Sequence, residues 1–107
     1  MATGRLGASD LTAAVNTTIY TVSASTIATV NINVCNRNAT SVTVRLAHLD
    51  GAIGTLADED YIEYDVTIPA NGVLERTGIV MAATHSIMAY SPNSNVSVSI
   101  WGWEETA

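Results

Sequence analysis

Apolar and polar residues alternate with a period of two along most of the chain. Val30, Ile32 and Val34 interleave with Asn31, Asn33 and Cys35, and Val42, Val44 and Leu46 with Thr43, Arg45 and Ala47. Ile62, Tyr64, Val66 and Ile68 interleave with Tyr61, Glu63, Asp65 and Thr67. Val96, Val98 and Ile100 do so with Ser97, Ser99 and Trp101. Successive side chains of a strand point to opposite faces, so this spacing predicts strands with one face in a core. Stiff β-branched residues dominate these stretches, which suits a pleated surface. No window has convincing helical spacing, and residues 11–15 are read as a single turn at most.

Turn residues punctuate the pattern. Asn36-Arg37-Asn38-Ala39-Thr40 reads as a short hairpin loop, because Asn tolerates positive φ. Pro69-Ala70-Asn71-Gly72 reads as a tight turn, Pro presetting φ and Asn-Gly supplying left-handed positions. Ser91-Pro92-Asn93-Ser94-Asn95 is a third. About seven strands are expected, over residues 17–22, 27–36, 41–48, 60–68, 72–81, 86–90 and 96–103. Short strands at this spacing predict an all-β fold, an antiparallel two-sheet β-sandwich of jelly-roll or immunoglobulin-like type. Residues 17–107 are read as one domain. Residues 1–16, with Gly4, Gly7 and few large apolar groups, are read as an extended N-terminal arm that orders on binding.

Composition narrows the function classes. A chain of 107 residues suits a single domain with a proper core. At 48% hydrophobic and 13% charged it is far from a disordered acidic tail. The apolar runs are too short for a membrane-spanning helix, and no signal peptide is read at the N-terminus. Ten acidic residues against four basic ones give a net charge of −6. The four are scattered arginines (Arg5, Arg37, Arg45 and Arg76), which argues against nucleic-acid binding. Cys35 is the single cysteine and forms no intrachain disulfide. It is expected beneath a second layer of side chains or at a subunit contact.

Catalytic chemistry finds little footing. His48 and His85 have no carboxylate at a pairing distance in sequence and are read as solvated strand-end or loop residues. No nucleophile elbow, Cys–His motif or zinc-protease motif is present. Asp58-Glu59-Asp60, with Glu63 and Asp65 behind it, is the densest charge but lacks calcium-loop spacing, so it is read as a solvated loop. The sequons at Asn16, Asn38 and Asn95 carry no weight in a chain rich in Asn, Ser and Thr. The reading is therefore not an enzyme, with no catalytic residue, cofactor or metal.

Trp101 and Trp103 are more informative. If Val96, Val98 and Ile100 face inward, both tryptophans face outward beside Ser97 and Ser99. Tryptophan is enriched at interface hot spots, so an intersubunit or partner contact is expected there. The competing readings are a bulge at Gly102 that turns Trp103 inward, or cover from the N-terminal segment. The neutral outward residues Asn31, Asn33, Ser97 and Ser99 also suit packing against copies of the same chain.

Several stretches resemble small virion proteins of tailed bacteriophages. They are Gly4-Arg5-Leu6-Gly7-Ala8, Ile19-Tyr20-Thr21-Val22 with Ala24-Ser25-Thr26, and Val30-Asn31-Ile32-Asn33-Val34-Cys35-Asn36-Arg37. So do Tyr61-Ile62-Glu63-Tyr64-Asp65, Ile68-Pro69-Ala70-Asn71-Gly72, Glu75-Arg76-Thr77-Gly78-Ile79 and Trp101-Gly102-Trp103-Glu104-Glu105. The likeness spans most of the chain and is one of strand and turn pattern. It implies a structural protein that decorates the capsid exterior as a cement protein, commonly a trimer. Such a protein is made in the host cytoplasm and binds the major capsid protein, with neither nucleic acid nor membrane as partner. A neck, collar or tail component is the nearest alternative. A carbohydrate- or cell-surface-binding module, with Trp101, Trp103 and Tyr61 as a stacking platform, is another, and a small calcium-dependent hydrolase a third. The interface residues expected are Trp101, Trp103, Tyr61, Arg5 and Leu6.

Overall fold

A computed structural model describes residues 2–107 as eight strands in two antiparallel four-stranded sheets. The strands are β1 (Thr3–Asp10), β2 (Thr17–Thr21), β3 (Thr26–Asn36), β4 (Val42–Leu49), β5 (Tyr61–Ile68), β6 (Val73–Met81), β7 (Ser86–Tyr90) and β8 (Val96–Thr106). Sheet I has the order β1-β8-β3-β6 and sheet II the order β2-β7-β4-β5. This order over eight strands is that of a jelly roll. Two 3-10 turns, Ile53–Thr55 and Asp58–Asp60, lie between β4 and β5.

The alternating residues fill the space between the sheets. Val30, Ile32 and Val34 of β3 and Val96, Val98 and Ile100 of β8 meet Val42, Val44 and Leu46 of β4 and Ile87 and Ala89 of β7. Full burial of each Val, Ile or Leu among them contributes about 1.5–3 kcal/mol. The turns then seal one end. Buried Asn36 donates from Nδ2 to the carbonyls of Thr40, Ile68 and Pro69 at 2.9, 3.2 and 3.0 Å, and its Oδ1 accepts the Asn38 N–H at 2.9 Å. Asn71 adopts φ 55° within the Pro69–Gly72 turn, the left-handed geometry that Asn accommodates. Among the described residues every buried side-chain nitrogen and oxygen has a hydrogen-bond partner.

The structure departs from the alternation at the sheet margins. The expected seven strands become eight, because Thr3–Asp10, read as part of an extended arm, pairs with β8 from Thr3↔Trp103 to Asp10↔Ser97. Two glycines and a bulge between Arg5 and Gly7 erase the period of two there. Gly7 lets β1 lie close against β2 of the other sheet: a Cβ would fall 2.4 Å from the Ile19 carbonyl oxygen. On β5, register shifts oppose Val66 to Val44 but Glu63 to Leu46 and Tyr61 to Ala47. Ile62 and Tyr64, expected to share an inward face with Val66 and Ile68, are consequently exposed. Ala14, with φ 61°, sits in a turn tied to the Ser91 carbonyl, not in a helical turn.

All four edge strands share this feature. In each edge pairing, β1 with β8, β2 with β7, β6 with β3 and β5 with β4, the extra residue lies on the edge strand. The inner pairings, β3 with β8 and β4 with β7, run without a shift. Bulges twist an edge away from straight pairing, which blunts sheet-to-sheet addition.

Candidate interaction face

The unbroken β3–β8 ladder decides which residues look outward from sheet I. Pairing runs from Thr26↔Thr106 to Asn36↔Val96 without a slip. Ser97, Ser99, Trp101, Trp103 and Glu105 therefore share the outer face with Ile27, Thr29, Asn31, Asn33 and Cys35. Gly102 makes this possible. A Cβ there would fall 2.0 Å from the Thr29 carbonyl oxygen, so only glycine lets β8 lie this close to β3. The bulge considered at Gly102 does not form, and both tryptophans point out.

Around them the face is apolar and short of charge. Trp101 is 36% exposed, Trp103 45%, Ile27 36% and Val80 68%. Register places Trp103 between Thr3 and Thr29, with Val80 next beyond Thr29, and Trp101 between Arg5 and Asn31. The other half of the face is a shallow polar groove of about 420 Å³ whose lining includes Arg5, Asp10, Asn33, Cys35, Ser97 and Ser99. Cys35 is half-buried there, more open than the second-layer setting expected and on the face where the alternative, a subunit contact, would lie. Asp10 is paired with Arg37 at 2.5 Å. Among the described residues Arg5 and Glu105 have no ion-pair partner.

The outer face of sheet II is built differently. Ala47, Leu49 and Met88 point away from the main core, yet all three are buried. Ile53 and Leu56, from the segment between β4 and β5, pack over them with Tyr61 and Tyr90. Beside this second cluster the Arg45 guanidinium lies 4.2 Å from the Tyr64 ring centroid and 4.9 Å from that of Tyr90. It also donates to both oxygens of Asp65, at 2.6 and 3.2 Å. The bond from Arg45 holds the Asp65 carboxyl below its ordinary range.

Of the five expected interface residues, Arg5, Trp101 and Trp103 come together on one face. Leu6 turns inward against the main core, and Tyr61 packs on the opposite side of the sandwich. A single stacking platform of Trp101, Trp103 and Tyr61 therefore does not exist.

One pairing escaped the sequence reading. His48 Nε2 and His85 Nδ1 share a hydrogen bond at 2.8 Å, one ring donating and the other accepting. Burial, and then the neighbouring His85, push His48 below its ordinary value. Both rings lie at the strand end and turn expected but are half-buried and paired rather than freely solvated; antiparallel β4 and β7 bring the end of β4 beside the turn that carries His85. Across the sandwich the Tyr20 hydroxyl donates to Glu104 Oε2 at 2.5 Å. That bond, followed by one from the Ala2 N–H, lowers the Glu104 carboxyl, while burial and then Glu104 raise the Tyr20 hydroxyl. In the acidic loop, Asp60 Oδ2 accepts the Ala57 N–H at 2.9 Å. Among the described residues no three His, Cys, Asp or Glu side chains are grouped to hold a metal ion.

The chain matches no known protein family, no curated protein and no solved structure. Among the described residues no helix is long and apolar enough to cross a membrane. The outer face of sheet I thus presents two tryptophans, two aliphatic residues and neutral hydroxyl and amide groups.

Proposed function

We propose that this chain is a non-enzymatic structural protein of a bacteriophage particle, decorating the capsid exterior through contacts with its own copies and with the major capsid protein. The observation that carries the reading is the outer face of sheet I. Trp101 and Trp103 stand there half-exposed on a ladder that runs without a shift, and a large rigid aromatic side chain gives up little conformational freedom on docking. The assignment to a particle comes from the strand and turn resemblance. Jelly rolls build virus shells as well as lectins, so the fold supports this by analogy only. A structural role also suits the chain's acidity, which disfavours packaged nucleic acid. Repetition over a shell would multiply a weak contact.

The test is mass spectrometry of gradient-purified particles, with antibody labelling seen by electron microscopy. The expected result is the chain in intact particles with label over the head. Label at the neck or tail would move the protein to that part of the virion. Absence from particles, together with a glycan that quenches tryptophan fluorescence, would replace this reading with a carbohydrate-binding one.

A further inference from the structure

We propose that the outer face of sheet I pairs with the same face of a second copy about a two-fold axis, in place of the trimer that the resemblance implies; this rests on the structural reading above and names its first partner. The layout of the face is self-complementary. Neighbouring strands lie about 4.8 Å apart, and successive outward residues on one strand about 6.7 Å apart. Arg5 is one strand over from Trp101, and Glu105 is two outward positions beyond Trp101 on β8. A two-fold axis lying in the plane of contact and crossing the strands near Trp103 carries Arg5 onto Glu105 of the second copy. It also carries Glu105 onto the second copy's Arg5. The same operation sets Trp103 against Trp103 and Trp101 over Ile27 and Thr29. One symmetry operation thus answers the two unpaired charges beside the tryptophans, Arg5 and Glu105, and covers the apolar groups, as an isologous contact requires.

Two further observations favour a copy of this chain meeting face to face. All four edge strands are bulged, which disfavours joining by strand addition. The chain carries a net charge of −6, so two copies meet most readily where charge is sparse. On this face Asp10 is already paired with Arg37, and Glu75, opposite Asn33, lies on the β6 margin.

Light scattering behind a sizing column, over a range of concentrations, tests the pair. The expected particle has twice the 11.2 kDa chain mass. Arg5→Glu should weaken pairing about tenfold, because two like-charge contacts then form across the axis. Adding Glu105→Arg to that variant should restore it. Both variants leave the core untouched, and circular dichroism checks that the sheets remain. A monomer at all concentrations, a trimer, or a dimer that ignores the charge reversal would overturn the pair. Particle mass spectrometry would still judge the structural role separately, so the two failures are distinguishable.

Discussion

The two outer faces of this sandwich start from similar strand patterns and end differently. On sheet II, the outward Ala47, Leu49 and Met88 are roofed by Ile53 and Leu56 from the segment between β4 and β5. On sheet I, the outward Trp101, Trp103, Ile27 and Val80 have no such roof from the chain itself. Apolar surface gains by leaving water wherever a cover exists, so the chain covers one face itself and leaves the other open, the face on which the proposed partner would dock. The lesson is that an outward apolar residue in a strand does not by itself mark an interface. What separates the two faces is whether a segment of the same chain, among the described residues, reaches over them.

The strongest way to break this comparison is at Gly102. Gly102→Val would drive side-chain atoms into the Thr29 backbone and part β8 from β3, carrying both tryptophans with it. A loss of about 4 kcal/mol or more is expected in urea unfolding, at the diagnostic end of single substitutions. Leu49→Ala probes the roofed face. It should cost about 2–4 kcal/mol by the same measurement, as for other buried leucines, and leave the solution mass unchanged. Trp103→Ala probes the open face and should do the reverse: about 1 kcal/mol or less of fold stability, with self-association lost on a sizing column. Equal effects of the last two on stability would erase the distinction between the faces.

The smallest effect expected is on pH dependence. His48 titrates below its ordinary 6.5, so the folded state favours the neutral ring. Its penalty is absent above pH 6.5 and grows as pH falls from there through the lowered native value, because the unfolded chain binds the proton first. Asp65 and Glu104 are also lowered, so their contribution is present above their ordinary values and lost further into acid. Thermal unfolding between pH 5 and pH 8 should therefore show stability falling on acidification (those bounds being roughly the span over which histidine titrates). His48→Gln should flatten that slope.

Much of the fold was legible because a period of two survives wherever strands pair without a slip. β2 to β8 all fall within a residue of their expected positions, save that β8 runs on to Thr106, and the outward placement of Trp101 and Trp103 follows from β8 alone. What was not legible lies at bulges and across long sequence separations. One extra residue reverses the face of everything beyond it, which hid β1 and misplaced Ile62 and Tyr64. Tyr61 was grouped with the tryptophans because a sequence does not say to which sheet a strand belongs. The His48–His85 pair joins residues 37 positions apart and left no local signal. Ile53 and Leu56 lie in a stretch without periodicity, so the second cluster was invisible until the segment was seen folded over sheet II.

The most direct measurement uses the fact that the chain has only two tryptophans and both stand on the open face. Acrylamide quenching of tryptophan fluorescence, followed across a dilution series, therefore reports on that face alone. The account predicts that quenching weakens and emission shifts to the blue as concentration rises. Circular dichroism should stay constant throughout. Tryptophans equally open to quencher at every concentration, alone and with purified particles, would contradict the claim that this face is built for a partner.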